Sequence, residues 1–332
     1  MLELHFPPPH RADEHKVSVR RIIAEILDVQ QLRGNRAANQ AVIDKIGLDV
    51  RQERDEDYCR EALDYHLGIL YAYVSDPETA AYHFARSGTY PSGGGELPFP
   101  DHQRESFELR RLQDLAKQRG MPSIFIVTMA RSGSASLVQT LATALDVPVM
   151  RISSHRKIVP RWLDCFSGGG AILHDHFGPL PYNLKTLRES GVRQIFVRVR
   201  DPRAAAASAV GLSNRKFGSP DDIDYESQMT QTCEQFLIPW IAGWMAAQTD
   251  FEIHWLPDPP SATPKMAREV LVALAPQYPA LEQYLSADIA EVTANLVTGD
   301  EDAWRKQISP RAHDRLWDAM PVAMRDLLGL SR

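Results

Sequence analysis

Cysteine is scarce: Cys59, Cys165 and Cys233 are an odd number, widely spaced, which fits neither a disulfide framework nor a CxxC metal pair. They are expected to be reduced packing residues. No run approaches the roughly 20 apolar residues that a membrane span needs. The start, Met1 to His10, is too short and proline-rich for a signal peptide, so the expected location is cytoplasmic. No sign of charge dominates either. A formal net charge of -6, from 37 Lys+Arg against 43 Asp+Glu, argues against bulk nucleic-acid or anionic-membrane binding, although arginine is locally enriched. The GxxxxGK[ST] phosphate loop is absent, and no ligand cluster has metal spacing. What remains is 332 residues, 44 % hydrophobic and 24 % charged, enough for one large domain or two with a sizeable core.

From about Val17 to Ser87 the apolar residues recur at helical spacing, as in Val19, Ile22, Ile23, Ile26 and Val29, then Leu63, Leu67, Leu70 and Val74. Three or four helices and no strand are expected there. Within this region Leu67, Gly68, Tyr71, Ala80 and Phe84 resemble one tetratricopeptide hairpin, with Asp64 where that pattern prefers tryptophan and no second copy in sight. Glycines and prolines then crowd Ser87 to Asp101, marking a boundary between a helical region, 1–101, and a second domain, 102–332.

After a linking helix near Glu105 to Arg119, strand and helix patterns alternate. Candidate strands are Ser123 to Thr128, Val147 to Ile152, Ala171 to His174, Gln194 to Val199 and Phe251 to Leu256. Short, nearly continuous apolar strands between helices predict an α/β domain with a parallel sheet covered on both faces. Ligands then bind outside the carboxyl ends of the strands.

Two of those strands empty into basic turns that precede helices. In the first, Arg131, Ser132, Gly133, Ser134, Ala135 and Ser136 follow the strand directly, and Gly133 permits a turn that aims successive N–H groups at an anion. In the second, Arg200 ends a strand, Pro202 opens a helix, and Ser208 stands eight positions after Arg200. Helix N-termini with arginine forks and hydroxyls suit phosphate oxygens. Each segment alone also fits a structural turn, in the second case with an arginine paired to Asp201.

Taken together, Arg131-Ser132-Gly133-Ser134 and Arg200, Pro202, Arg203 and Ser208 resemble the two nucleotide motifs of the sulfotransferases that use 3'-phosphoadenosine-5'-phosphosulfate (PAPS). The resemblance covers about Ser123 to Ile308 and implies a P-loop-like α/β fold. It implies that the Arg131 loop, through Ser136, holds the 5'-phosphosulfate, that Arg200 and Ser208 hold the 3'-phosphate, and that adenosine 3',5'-bisphosphate (PAP) is the product. Ala135 and Ser136 replace the Thr-Trp often found in that family's loop, so the usual aromatic stack on adenine is missing. Ile172 to Pro179 resembles the family's strand ending in a catalytic histidine, which makes His176 the general base and His174 its rival; the same pair also fits surface histidines. Val297 to Ile308 is similar to the family's late loop, with Trp304 and Arg305 on the nucleotide, but the basic residue expected beside Gly299 is missing. Arg305 and Lys306 fit helix-face charges equally well.

The resemblance therefore implies sulfuryl transfer from PAPS, without a metal, to a hydroxyl or amine of a small-molecule, glycan or lipid acceptor, in a protein that could form homo-oligomers. The alternatives are a P-loop-like small-molecule kinase and a non-catalytic nucleotide-binding interaction protein. Ser153 to Gly170, with Arg151, His155, Arg156, Lys157 and Arg161, and Leu212 to Tyr225 are the candidate acceptor segments. Cys233, Phe236, Trp240 and Trp244 share helical spacing and are expected in the core.

Overall fold

The computed structural model describes residues 57–73, 76–93, 99–217, 224–257, 259–287, 289–290, 292 and 303–330. The helices expected around Val19 to Val29, the positions of Val74, Gly94, Gly95, Pro98 and Gly299, and residues 218–223 of the second acceptor segment lie outside them. The chain forms two compact units, 1–111 with 150–166 and 112–149 with 167–332. The sequence reading cuts the chain once, at Asp101; here the segment 150–166 belongs with the N-terminal unit.

In chain order the described elements begin with helices α1 (Asp57–Tyr73), α2 (Pro77–Arg86) and α3 (Phe99–Gln118). Strands β1 (Ser123–Ile124) and β2 (Ile126–Thr128), helix α4 (Ser134–Leu145) and strand β3 (Val149–Met150) follow. Next come β4 (Ser153–Ser154), β5 (Lys157–Ile158), α5 (Pro160–Ser167), β6 (Ala171–Leu173), α6 (Pro181–Glu189), β7 (Gln194–Arg198) and α7 (Pro202–Phe217). The chain continues through α8 (Tyr225–Thr232), α9 (Ile238–Ala246), β8 (Glu252–Leu256), α10 (Thr263–Leu274), α11 (Pro310–Ala319) and α12 (Val322–Leu327).

In the first unit, α1 and α2 form the hairpin that the tetratricopeptide spacing suggested. Asp76 caps α2 by accepting from the Thr79 N–H at 3.1 Å, with Pro77 opening the first turn, where its missing N–H costs nothing. Gly68 is required because a Cβ there would stand 2.9 Å from the Phe84 ring. Asp64, placed where the repeat pattern prefers tryptophan, is buried and accepts from His83 at 2.7 Å and Arg86 at 2.9 Å. Burial raises its pKa, but those two donors outweigh burial and hold the carboxyl below its ordinary value. Trp162 of α5 packs on Phe84 and His102 and donates to Thr89, which explains why 150–166 joins this unit. The first acceptor segment is largely structured here: β4 and β5 form an antiparallel hairpin turned by His155 and Arg156, whose φ angles are 45° and 66°. Lys157 donates to the Ala72 carbonyl at 3.0 Å, and Arg161 to that of Ala85 at 3.2 Å.

The second unit holds the parallel sheet. Strand β1 pairs with β6, β2 pairs with β7, and β7 pairs with β8, all parallel. Strand β3 follows β6 in strand order, and a parallel bridge between Val127 and Asp175 ties β2 to the end of β6. The β1–β2 line is therefore central, flanked by β6 on one side and β7 on the other. The chain leaves it toward β3 and β6, then crosses to β7 and β8, which makes the carboxyl ends of β2, β6 and β7 the switch point of the sheet. Leu137, Val138, Leu141 and Leu145 of α4 and Met266, Val270, Leu271 and Leu274 of α10 are buried in one core with Ile124, Ile126 and Phe196. Each such side chain contributes about 1.5–3 kcal/mol relative to exposure.

Two expectations need correction. The linking helix begins at Phe99, earlier than Glu105, because Pro100 sits in the first turn, where proline is tolerated. The Cys233 to Trp244 stripe is not uniformly core: Cys233 and Trp244 are fully buried, but Phe236 is 52 % exposed. The cause is a π turn over Cys233–Leu237, where Ile238 bonds back to Cys233 and the inserted residue shifts the helical phase before Pro239, which has no N–H to offer.

Candidate anion-binding site

The second unit brings the Arg131 loop, the His174–His176 segment and the Arg200–Ser208 segment to the same end of its sheet. Strand β2 ends at Thr128, and the chain then turns through Arg131 and Gly133 with φ angles of 65° and 78° before α4 starts at Ser134. A positive φ costs an arginine of order 1 kcal/mol or more, so the loop holds a strained shape. Gly133 offers no side-chain cap, which leaves the first amides of α4 oriented toward the loop's concavity with the positive end of the helix dipole behind them. Ser132 is completely buried, and among the described residues its hydroxyl meets no hydrogen-bond partner. Ser134 and Ser136 are buried as well, while Arg131, Gly133 and Ala135 are half-buried.

The two motifs meet directly. Arg131 Nε donates to Ser208 Oγ at 3.0 Å, bridging 77 positions of sequence. Arg200 is half-buried two residues past the end of β7, and Ser208 lies on the helix that Pro202 opens. Arg203 behaves differently from the other motif residues. It is completely buried, and its Nε and Nη2 grip the Asp201 carboxylate at 3.0 and 2.8 Å. Its guanidinium lies 4.9 Å from the Trp304 ring and 5.4 Å from that of Trp317.

Trp304 was expected over the nucleotide. It is instead 3 % exposed, its ring stacked on His313 at 5.6 Å and against Arg203, so its aromatic surface is spent on protein groups. Burial, then the neighbouring Arg203 and Arg305 charges, push the His313 pKa down. Arg305 is exposed and rests 5.4 Å from the same tryptophan, which suits the helix-face alternative.

His176 sits just beyond β6. Its Nδ1 is 2.7 Å from Thr128 Oγ1 and 3.0 Å from the Thr128 carbonyl, and the Thr128 hydroxyl donates to the Asp175 carbonyl at 3.1 Å. Since that hydroxyl hydrogen is committed to Asp175, Thr128 Oγ1 must accept from the imidazole. The network therefore assigns the proton to Nδ1 and the basic lone pair to Nε2. The Asp175 carboxylate accepts the His176 backbone N–H at 2.8 Å, fixing the turn that presents the ring. His174 faces the anion loop instead, with Nε2 2.9 Å from Ser134 Oγ.

Thr128 and Asp175 escaped the motif reading. A polar residue ending an apolar strand immediately before the loop was the available signal for Thr128; the Asp175 bond is a local turn that spacing does not announce. Behind His176, Asn183 Nδ2 donates to the Gly178 carbonyl at 2.8 Å and Trp240 Nε1 to that of Phe177 at 3.2 Å, so the segment after the histidine is held on two helices.

A scan against protein-family models found no match, and searches of curated proteins and of solved structures found none either.

Proposed function

We propose that the protein is a sulfotransferase that moves a sulfuryl group from PAPS to a hydroxyl or amine of a small-molecule, glycan or lipid acceptor, on a P-loop-like α/β domain. The Arg131–Ser208 bond carries this reading. It joins the two anion motifs at the end of adjacent strands, with His176 beyond the strand on the other side of β2. The buried Ser132 hydroxyl and the α4 amides fit the 5'-phosphosulfate, because an oxyanion would supply the acceptor that this hydroxyl lacks among the described residues. Arg200 and Ser208 take the 3'-phosphate. Arg203 and Trp304 serve the second motif from behind, by fixing Asp201.

PAPS, when bound, supplies the sulfuryl group. The acceptor oxygen or nitrogen forms a bond to sulfur as the bond from sulfur to the 5'-phosphate oxygen breaks, and the electron pair leaves with PAP. His176 Nε2 takes the acceptor's proton, and the Nδ1–H bonds to Thr128 stabilise the imidazolium that results. Arg131 and the loop donors stabilise charge on the leaving oxygen. Calorimetry tests the assignment: PAP should bind at least about tenfold more tightly than adenosine 5'-phosphate, roughly one charge-assisted contact's worth. Arg200→Ala should erase the difference. Equal affinity of the wild-type protein for both nucleotides would sink the second-motif assignment.

A further inference from the structure

We propose that His174 sets the polarity of the anion loop: a proton on its Nε2 turns the Ser134 hydroxyl into a donor toward a bound phosphate or sulfate group. This rests on the anion-loop reading above and assigns His174 a role other than that of rival base.

Ser134 is the first residue of α4, 5 % exposed, with its Oγ 2.9 Å from His174 Nε2. A serine has one hydrogen to give and lone pairs to receive. With Nε2 protonated, the imidazole donates to Oγ and the serine hydrogen turns to whatever lies in front of the helix. With Nε2 bare, that hydrogen is drawn back to the imidazole and Ser134 shows the anion a lone pair. The remainder of the loop is already arranged for an anion: the first α4 amides, the left-handed turn at Arg131 and Gly133, and the buried Ser132 hydroxyl that has no acceptor among the described residues. An anion therefore favours the protonated Nε2, and by reciprocity the protonated Nε2 favours the anion. His176 is held elsewhere: its Nδ1 is engaged by Thr128, and its ring stands edge-on to that of His174 at 5.4 Å and 73°. His174 is a positioning residue that acts through Ser134.

Three variants and one double variant test this, each titrated calorimetrically with PAP and with inorganic pyrophosphate. His174→Gln keeps an N–H at the reach of Nε2; His174→Met keeps the bulk without the donor; Ser134→Ala leaves the histidine intact. The glutamine variant should bind within about threefold of wild type, whereas the methionine and alanine variants should each lose about tenfold, the scale of one hydrogen bond to an anion. The His174→Met, Ser134→Ala double variant should bind within about twofold of Ser134→Ala alone, because both changes remove one interaction. Glutamine and methionine variants of equal affinity, or losses that multiply to about 100-fold in the double variant, would overturn the proposal. Wild-type protein that binds pyrophosphate with this variant pattern but does not bind PAP removes the nucleotide reading and leaves His174 standing. Binding of neither overturns both.

Discussion

A histidine becomes a base only when its other nitrogen is spoken for. At His176 two Nδ1 contacts come from Thr128, one from the hydroxyl and one from the carbonyl. Removing the hydroxyl leaves the carbonyl in place, so under the proposed sulfuryl transfer Thr128→Val should lower kcat about three- to tenfold, equivalent to about 0.7–1.4 kcal/mol, with little change in KM for PAPS. Thr128→Ser should restore the rate. His176→Ala, by contrast, should lower kcat by about 10²–10⁴ and leave PAP binding intact. Steady-state sulfuryl transfer to a pool of alcohols and phenols reads all three; a His176→Ala enzyme with full turnover would move the base elsewhere. That Arg131 and Ser208 come together was legible because each stands in a strand-to-helix turn with a restricted spacing, Arg131 through Ser136 and Arg200 to Ser208. Thr128 was not, since a threonine ending a strand is common and its partner lies 48 positions away. The surroundings of Trp304 were not legible either. The sequence shows an aromatic beside basic residues, whereas the ring packs on Arg203 and His313, which lie far from it or carry no spacing signal.

Among elements, the parallel strands were read closely because a buried strand is an almost unbroken apolar run. The second acceptor segment runs partly outside the described residues, and the first conceals a hairpin too short to show alternation. Two adjacent residues with positive φ, His155 and Arg156, make that turn, and neither is the Asn, Asp or Gly that marks a two-residue hairpin turn in sequence. Glycines tell more where they touch backbone. At Gly170, φ is 71° and a Cβ would stand 2.5 Å from the Gln113 carbonyl oxygen and 2.8 Å from the Lys117 nitrogen. The same turn feeds β6: Gly170 N–H donates to the Met121 carbonyl at 2.8 Å, and Gln113 Nε2 donates to the Gly169 carbonyl at 2.8 Å. Gly170→Ala therefore combines a disfavoured φ with a clash against helix backbone that cannot swing aside. The expected loss exceeds about 2 kcal/mol in urea unfolding. Gly191→Ala is the control, with a similar φ of 75° and open space around the Cβ, and should cost only about 1 kcal/mol. Equal losses at the two glycines would show that the backbone contact at Gly170 carries no energy.

At the scale of a whole unit, buried histidines set the response to acid. The first buries His66 and His102, 3 % and 1 % exposed, in an aromatic cluster with Tyr65 and Trp162. Burial, with the neighbouring His102 as a lesser cause, pushes His66 from its ordinary value of 6.5 down to about 4. Burial does the same to His102, again to about 4, against a small opposing effect from its 2.9 Å bond to the Tyr90 carbonyl. Both are therefore neutral in the folded unit at pH 7. As pH falls below about 6.5 the unfolded chain takes up protons that the folded unit refuses, so stability is full above that value and drains away down to about pH 4. The slope approaches about 1.4 kcal/mol per pH unit for each histidine. Amide hydrogen exchange, corrected for intrinsic rates, should thus show α1 and α2 losing protection between pH 7.5 and pH 5. His102→Phe, which keeps a ring beside Tyr65 and Trp162 but cannot titrate, should roughly halve that loss. Unchanged protection of α1 and α2 at pH 5 would mean that neither histidine is held neutral by the fold, and that the aromatic cluster around them admits water.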